Sequence, residues 1–307
     1  MINKKFQCLL LIIIFVLVCI TGISIARGEK APSLIQDLGV LKDSNGKIVK
    51  QKQLNIKSKF SDTTECYKIK YLSDGLKVVG FIVKPKAEKT KFPIIIFNRG
   101  GNREYGKIEK KLLQVFSFFS SRNYIVLASQ YRGNDGGQGR EEFGGSDVND
   151  VMNLIPLAKS LSFADPNKIV MLGYSRGGMM TYLAIKHGVD IKAAAVVGGV
   201  TDLFMSAEER EGMKRVHNEL IGTKREEWEK RSACYWPEKI NVPVLILHGE
   251  ADTRVNVEQA KKLSKKLTEA GKFHKLVVFP EGNHGLGPPH ARTKNGMIFN
   301  WFETYLQ

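Results

Sequence analysis

The sequence predicts an α/β fold in which a mostly parallel sheet is covered by helices on both faces. Two observations support this prediction. Apolar runs typical of buried strands alternate with helical segments from residue 93 onward. The residues G-Y-S-R-G at 173–177 also lie between an apolar strand and a helix-prone segment, which is the setting of a nucleophile elbow. At 307 residues the chain is long enough for one such domain with a full core.

The expected elements can be placed in order along the chain. Two strands near residues 66–71 and 78–83, joined by a turn, precede the alternating part. The strands of the parallel sheet are then expected at 93–97, 124–128, 168–172, 193–197, 242–247 and 275–279. Helices are expected near 107–120, near 147–161, directly after Ser175, at 257–270 and near 291–305.

A charged, helix-prone segment at about 203–240 interrupts this alternation. We interpret it as a small helical insertion between two late strands, and such an insertion lies over the carboxyl edge of the sheet. Tyr235 and Trp236, at its end, are therefore candidates for lining a substrate pocket. Ordinary packing within the insertion is the alternative interpretation.

The N-terminal part of the chain does not share this pattern. Lys4 and Lys5 precede an uncharged apolar run over residues 6–25, and Ser24-Ile25-Ala26 provides small residues for a cleavage site. These features predict a secretory signal peptide over 1–26, or an uncleaved signal anchor because the run is long. Both alternatives place the globular part outside the cytoplasm, either secreted or anchored to the membrane by this segment. Residues 27–64 are expected to form an N-terminal arm, followed by a catalytic domain at 65–307.

The charge balance and the cysteines restrict the partners and cofactors. The formal net charge is +16, or +14 once Lys4 and Lys5 are removed with the leader. The basic residues are dispersed and form no aromatic-interleaved block, so nucleic-acid binding is not expected. An anionic cell-envelope surface and a simply solvated basic surface remain open. Outside the leader the cysteines are Cys66 and Cys234, for which two buried thiols are favoured over a disulfide, and no metal or organic cofactor is implied.

Ser175 is the candidate nucleophile, and a serine hydroxyl needs a base and a carboxylate that orients this base. Asp252 follows the expected strand 242–247, and His284 follows the expected strand 275–279. The chain order Ser, Asp, His is the one expected for this sheet topology. Asp202 and Glu250 are weaker alternatives for the acid. The alternatives for the base are His187, His217, His248, His274 and His290.

Acyl transfer also requires hydrogen-bond donors for the oxyanion that forms in the transition state. The backbone N–H of Arg176, directly after the nucleophile, is one donor by position. A second is expected from the loop after the strand 93–97, which reads N-R-G-G-N at 98–102. Its paired glycines allow the backbone to approach a substrate carbonyl, so the Gly101 N–H is the candidate. A plain glycine turn is the alternative.

With these residues in view, the chain resembles the catalytic domain of prolyl oligopeptidase-type serine peptidases, in the α/β-hydrolase superfamily. The resemblance covers about residues 65–307 and rests on three motifs: G-Y-S-R-G-G at 173–178, H-G-E-A-D at 248–252 and G-N-H-G at 282–285. The segment 130–140 is also similar to that family's N-Y-R-G-S-x-G-Y-G-R segment. The resemblance implies an α/β-hydrolase fold, an acyl-enzyme on Ser175, a base at His284 and an orienting acid at Asp252.

The chain also departs from this family. Family peptidases carry a large β-propeller that screens substrates, and 307 residues leave no room for one. Where prolyl oligopeptidase places an oxyanion tyrosine this chain has Arg99, so either the Arg99 guanidinium donates instead or the Gly101 N–H suffices. Peptidase action on short peptides and carboxylesterase action of a dienelactone-hydrolase-like type are both expected alternatives. A non-catalytic envelope-binding protein with the same fold is a third hypothesis.

Overall fold

The computed structural model describes residues 45–87 and 91–307. The predicted leader and residues 27–44 of the predicted arm lie outside this part of the chain. The strands are β1 (Ile48–Leu54), β2 (Thr64–Ser73), β3 (Leu76–Pro85), β4 (Phe92–Asn98), β5 (Ile125–Ser129), β6 (Ala164–Tyr174), β7 (Ala193–Val197), β8 (Val244–Gly249) and β9 (His274–Phe279). They form a single sheet in the order β1-β2-β3-β5-β4-β6-β7-β8-β9.

The six strands β4 to β9 form the parallel part of the sheet, and β1, β2 and β3 form its antiparallel end. In the parallel part β4 lies between β5 and β6, and β7, β8 and β9 follow in turn. The strands β1, β2 and β3 continue the sheet from β5 with antiparallel pairings. All parallel strands therefore end at one edge of the sheet, where the loops that follow them meet.

Helices follow most of the parallel strands. They are α1 (Lys110–Ser120), α2 (Val148–Met152), α3 (Leu154–Ser160), α4 (Arg176–Lys186), α5 (Leu203–Glu209), α6 (Glu211–Leu220), α7 (Arg225–Arg231), α8 (Val257–Glu269) and α9 (Ala291–Tyr305). The expected helix near 147–161 is divided into α2 and α3. The predicted insertion contains α5, α6 and α7, followed by two short 3₁₀ turns at Ala233–Tyr235 and Pro237–Lys239.

The sheet is buried on both faces, which explains why its central strands are continuously apolar. On one face α1 and α9 pack together through Phe119 and Phe299, whose ring centroids are 5.4 Å apart. Alternate strand side chains, such as Leu172 and Leu245, join this cluster. All five residues of β5 and all five of β7 are buried. The predicted mostly parallel sheet with helices on both faces is therefore confirmed.

The edge strand β1 falls within the segment expected to be an arm. Its side chains are largely exposed, and Lys50 and Lys52 both point to solvent. Charged residues on an edge strand discourage pairing with other chains, but they also hide the strand from a search for apolar periodicity. Residues 48–54 therefore belong to the sheet.

Two further observations concern the cysteines and the membrane. Cys66 and Cys234 are free and buried, as expected from their spacing. Desolvation raises the pKa of Cys66 to about 12 and that of Cys234 to about 11, so both remain thiols. Within residues 45–87 and 91–307, no helix has the length and apolar character needed to span a bilayer.

Candidate active site

Ser175 occupies the turn between β6, which ends at Tyr174, and α4, which begins at Arg176. Its backbone has φ 55° and ψ −124°, a conformation that residues other than glycine rarely adopt. The turn is possible because its neighbours carry no Cβ. A Cβ on Gly177 would overlap the Asn98 carbonyl, and one on Gly173 would overlap the Gly177 carbonyl.

Backbone hydrogen bonds hold this turn at the sheet edge. The Ser175 N–H donates to the Val197 carbonyl at the end of β7, over 3.0 Å. The Ser175 carbonyl accepts from the N–H groups of Gly178 at 2.9 Å and Val200 at 3.2 Å. Because the backbone is fixed in this way, the hydroxyl is presented at the N-terminus of α4, where the helix dipole favours negative charge.

Asp252 and His284 lie at the same edge, in the loops after β8 and β9. Asp252 Oδ2 is 2.7 Å from His284 Nδ1. The other carboxylate oxygen, Oδ1, accepts the N–H groups of Arg254 at 2.8 Å and Val255 at 3.0 Å. The carboxylate is therefore fixed on one side by backbone donors and directs its second oxygen to the histidine ring.

The backbone at the end of β7 connects this pair to the elbow. A Cβ placed on Gly198 would lie 3.1 Å from His284 Nδ1 and 3.2 Å from Asp252 Oδ2. Gly198 directly follows Val197, which binds Ser175. Among the hydrogen bonds of the described residues, none joins the Ser175 hydroxyl to the His284 ring. In unliganded enzymes this contact is often long and tightens only when substrate binds.

Asp252 remains ionised at neutral pH. Burial by itself raises the pKa of a carboxyl group, but hydrogen bonds from His248 and His284 and from the Val255 N–H outweigh it. The pKa of Asp252 is therefore held well below its usual range. A permanently charged carboxylate at this position fixes the Nδ1–H tautomer of His284 and leaves Nε2 free to accept a proton.

His248 packs beneath the loop that carries Asp252 and cannot reach a substrate. It is completely buried, and its Nε2 lies 2.8 Å from the Val255 carbonyl and 3.3 Å from Asp252 Oδ2. It therefore supports Asp252 from below. The structure places the other alternative bases away from this pair: His217 lies between Phe143 and Trp228, His274 contacts Ser264, His290 packs on Phe279, and His187 ends α4.

The alternative acids also have other positions. Asp202 is the N-cap of α5, where its Oδ1 accepts the Phe204 N–H at 2.9 Å. Its Oδ2 pairs with Lys262 Nζ at 2.6 Å. The Glu250 side chain is exposed. Of the acids considered from the sequence, Asp252 is the one that contacts His284.

Of the two expected oxyanion donors, Arg176 lies in the elbow and Gly101 in the loop after β4. Arg176 is the first residue of α4, so its N–H is at the helix N-terminus. Gly101 has φ 72°, and a Cβ there would overlap the Tyr105 carbonyl. Both residues line the same cleft as Ser175. Position 101 requires glycine because the backbone at Tyr105 approaches it closely.

Arg99 does not face this cleft, contrary to the alternative in which its guanidinium binds the oxyanion. Its side chain is fully buried and donates to four backbone carbonyls, those of Gln130, Gly100, Tyr105 and Arg103. These acceptors occupy the guanidinium, so it shapes the loop at 98–106 from beneath. The sequence position suggested a donor, but the side chain points into the protein.

The cleft beside Ser175 has a volume of about 260 Å³. Its apolar lining includes Phe143, Val200, Met213 and Val216, and Arg254 lies at its rim. The helix α6 of the insertion supplies Met213 and Val216. The insertion therefore contributes to the cleft, but through different residues from those expected.

Tyr235 and Trp236 do not line this cleft. Trp236 is buried, its indole N–H donates to the Glu229 carbonyl at 3.1 Å, and Lys186 Nζ lies 4.4 Å from its ring centroid. The Tyr235 ring packs on Phe204 at 5.7 Å. The 3₁₀ turns carry this segment back toward α4 and α8, so the alternative interpretation, ordinary packing, applies to both residues.

A buried ion-pair cluster beneath the elbow was not expected from the sequence. Arg176 is almost fully buried, and its guanidinium contacts Glu141 Oε1 and Asp147 Oδ2, each at 2.6 Å. Glu141 also accepts the Arg103 N–H at 3.0 Å and the Asn134 side-chain amide at 2.7 Å. No periodicity or motif marks Glu141 and Asp147, because their partner is distant in sequence.

Across the described ranges, no group of three or more metal-binding side chains is found.

The sequence is similar to known peptidases. A profile of the prolyl oligopeptidase family matches residues 111–307. The chain is 31% identical over 249 residues to the uncharacterized peptidase YtmA of Bacillus subtilis, covering 79% of this chain and 95% of that protein. It is 27% identical to acylamino-acid-releasing enzyme 1 of Oryza sativa, covering 76% of this chain but 33% of the rice protein. The chain thus spans nearly all of YtmA and a third of the rice protein.

Solved structures show the same fold. The acylaminoacyl peptidase of Pyrococcus horikoshii superposes with a TM-score of 0.70 at 24% identity, over 80% of this chain and 42% of that chain. An acylaminoacyl peptidase in complex with Z-Gly-Gly-Phe-chloromethyl ketone superposes with a TM-score of 0.68 at 25% identity, over the same shares of the two chains. The architecture described above is therefore an α/β-hydrolase fold.

Proposed function

The chain belongs to the prolyl oligopeptidase family and is a serine hydrolase, and from this premise we propose that it cleaves amide or ester bonds of small substrates through an acyl-enzyme on Ser175. The observation that carries the proposal is the 2.7 Å contact between His284 Nδ1 and Asp252 Oδ2, beside a strained serine turn. This is the arrangement that serine nucleophiles need for activation.

Each residue has a defined role in the proposed reaction. Ser175 Oγ attacks the substrate carbonyl carbon while His284 Nε2 takes the hydroxyl proton. Asp252 holds the ring and stabilises the imidazolium that forms. His284 then gives this proton to the leaving group as the acyl bond breaks. In the second half, His284 activates a water molecule that hydrolyses the acyl-enzyme and restores Ser175.

The oxyanion is proposed to bind the backbone N–H groups of Arg176 and Gly101. These groups stabilise charge that appears only in the tetrahedral intermediate, so they lower the barrier without strengthening substrate binding. One such donor is worth about 10²–10³-fold in kcat in serine hydrolases. Arg99 is assigned no part in this step, because backbone carbonyls occupy its side chain.

Short peptides are the favoured substrates. The relatives are named as peptidases, and one solved neighbour holds a peptide chloromethyl ketone. The cleft of about 260 Å³ fits one apolar side chain next to the scissile carbonyl. Esters are the second candidate, since an acyl-enzyme forms equally from ester and amide donors. Membership of a hydrolase family speaks against the non-catalytic envelope-binding hypothesis.

A fluorophosphonate probe tests the nucleophile directly, because it labels only an activated serine. We expect labelling of the wild-type protein and of a Ser160→Ala control, and none of Ser175→Ala. Absence of labelling in the folded wild type, or persistence in Ser175→Ala, would refute the proposal. Aminoacyl p-nitroanilides and p-nitrophenyl esters then separate the two activities: cleavage of the anilides supports the peptidase, and cleavage of the esters alone supports the esterase.

Export is a second proposal and rests on the leader features at residues 1–26. The domain would then act outside the cytoplasm, where its charge of +14 is suited to an anionic envelope surface. Fractionation of expressing cells and the mass of the mature N-terminus test this directly. Recovery of the full-length protein only in the cytosol would contradict it.

A further inference from the structure

A second groove lies beside the elbow, and no residue of the insertion lines it. Its inner part, of about 220 Å³, is lined by Phe97, Gly100, Leu112 and Val115 together with Tyr174 and Lys294. Its outer part, of about 530 Å³, shares Val115, Tyr174 and Lys294 and extends to Phe60 and Phe118. The two parts therefore form one groove along Tyr174 and Lys294.

The inner end of this groove lies against the elbow. A Cβ placed on Gly100 would be 3.0 Å from Ser175 Cβ and 3.7 Å from Ser175 Oγ. Tyr174 directly precedes the nucleophile, and its ring stacks on Phe97 at 5.5 Å. The inner lining therefore includes two residues that adjoin Ser175, Gly100 and Tyr174.

Within the described part of the chain, Lys294 is a buried cation without a counter-charge. It is 8% exposed, and its Nζ donates to the Gly285 carbonyl at 3.0 Å and lies 5.2 Å from the Tyr174 ring centroid. Burial lowers the pKa of Lys294 to about 8. Among the described residues, no carboxylate pairs with Lys294 and no acidic side chain lines either part of the groove. Lys59 and Lys111 add positive charge at its outer end.

A buried, unpaired ammonium is costly unless a ligand supplies the missing charge. The inner part of the groove is otherwise aromatic and aliphatic. The fitting ligand is consequently an apolar group that carries a carboxylate. Burial of that carboxylate beside Lys294 would satisfy a donor that now has a single carbonyl partner.

The position of Lys294 assigns this ligand to one half of the substrate. The leaving group takes its proton from His284, so it must depart on the His284 side of the nucleophile. Lys294 is hydrogen-bonded to Gly285, the residue after His284. The groove thus lies on the leaving-group side, whereas the cleft that contains Arg176, Gly101 and α6 receives the acyl part.

We propose that Lys294 is a specificity-determining residue that binds a carboxylate on the leaving group, so that the enzyme prefers substrates releasing an apolar product with a free carboxylate, such as the C-terminal residue of a short peptide. This inference rests on the proposed serine-hydrolase chemistry and defines its substrate class. It assigns Lys294 no part in the bond-breaking steps.

The test compares two esters with leaving groups of similar reactivity. These are the N-acetyl-leucyl esters of 4-hydroxyphenylacetic acid and of its amide, which differ only in the leaving-group carboxylate. We expect kcat/KM to be at least about tenfold higher for the carboxylate ester, as for a charge-assisted hydrogen bond. Rates are measured at high ionic strength, where long-range attraction by the basic surface is screened.

The variant Lys294→Met should bring the ratio of the two kcat/KM values close to one. Lys110→Met, which changes the same charge on α1 outside the groove lining, should keep the wild-type ratio. An equal rate for both esters with the wild-type enzyme overturns the subsite, whatever the stability of Lys294→Met, as does a wild-type ratio in that variant. Failure of the proposed function looks different: neither ester is cleaved and the fluorophosphonate probe does not label Ser175, which overturns both proposals.

Discussion

Arg176 Nη1 donates a hydrogen bond of 3.1 Å to the carbonyl of Gly101. The residue after Ser175 is thereby joined, through its side chain, to the loop after β4. Both residues are the proposed oxyanion donors through their N–H groups. Because Glu141 and Asp147 fix the guanidinium, the distance between the two donors is set before substrate arrives.

Removal of the Arg176 side chain is expected to be strongly destabilising. The variant Arg176→Met removes the cation that pairs with the buried Asp147 and leaves Glu141 with the more distant Arg99 Nη2 at 3.7 Å. We expect the free energy of unfolding to fall by about 3–5 kcal/mol. Urea denaturation followed by circular dichroism measures this. The matched control is Arg225→Met, which breaks an exposed pair with Glu229 and should cost below about 1 kcal/mol. Equal losses in the two variants would contradict the structural role of the cluster.

Ser175 is expected to store backbone strain that glycine relieves. A non-glycine residue in this region costs on the order of 1–3 kcal/mol, partly offset in a glycine variant by the freedom of the unfolded chain. Ser175→Gly should therefore be more stable than Ser175→Ala by about 1 kcal/mol, as measured by chemical denaturation. At Ser264, inside α8, the same pair of substitutions should show the opposite order, since alanine favours a helix. Ser175→Ala being the more stable variant would show that the turn is unstrained.

His217 is expected to make the fold sensitive to mild acid. Its ring is buried between Phe143 and Trp228, and neither ring nitrogen has a hydrogen-bond partner among residues 45–87 and 91–307. Burial lowers the pKa of His217 to about 4. The unfolded state takes up a proton near pH 6.5, well before the folded state does. The contribution of neutral His217 to the free energy of unfolding is thus fully present above about pH 6.5. It declines as the pH falls toward 4, by roughly 3 kcal/mol in total.

The variant His217→Phe should remove this part of the pH dependence. Urea midpoints at pH 7 and pH 5 provide the measurement, and the difference between them should shrink relative to the wild type. A wild-type difference in His217→Phe would assign the acid sensitivity to other groups. The matched control is Tyr182→Phe, which changes another buried ring. Burial raises the pKa of Tyr182 above its usual range, so its hydroxyl stays protonated at both pH values and the variant should keep the wild-type difference.

Asp252 and Asp202 can be distinguished as the catalytic acid by parallel substitutions. Asp252→Asn removes the charge that orients His284 and should lower kcat by about 10⁴-fold. Asp202→Asn keeps an N-cap for α5 and loses the ion pair with Lys262, so kcat should not change. Steady-state rates with a p-nitrophenyl ester decide between them. A large loss in Asp202→Asn with little in Asp252→Asn would reverse the assignment.

The parts of the site that depend on topology could be predicted from the sequence. Parallel strands end at one edge of the sheet, so loops after β6, β8 and β9 had to bring Ser175, Asp252 and His284 to the same side. The elbow glycines were recognisable because the tight turn excludes a Cβ. These inferences need only the order of the strands and the residue that follows each one.

The parts that depend on side-chain direction could not be predicted. Arg99 follows β4 as expected, but whether its guanidinium faces the cleft or the carbonyls of 98–106 depends on the loop path. The role of Tyr235 likewise depends on the way the 3₁₀ turns redirect the insertion. Lys294 looks in sequence like any helical lysine, and its burial results from packing against Tyr174. The edge strand β1 was hidden because its side chains face water.

The insertion has a consequence for how this enzyme can diversify. Its helix α6 supplies Met213 and Val216 to the acyl cleft, whereas Ser175, Asp252 and His284 come from loops that follow three separate strands. Substitutions in the segment at 203–240 are therefore expected to alter the acyl preference without displacing Ser175, Asp252 or His284. Specificity and the proposed proton transfer can thus be altered on separate stretches of the chain.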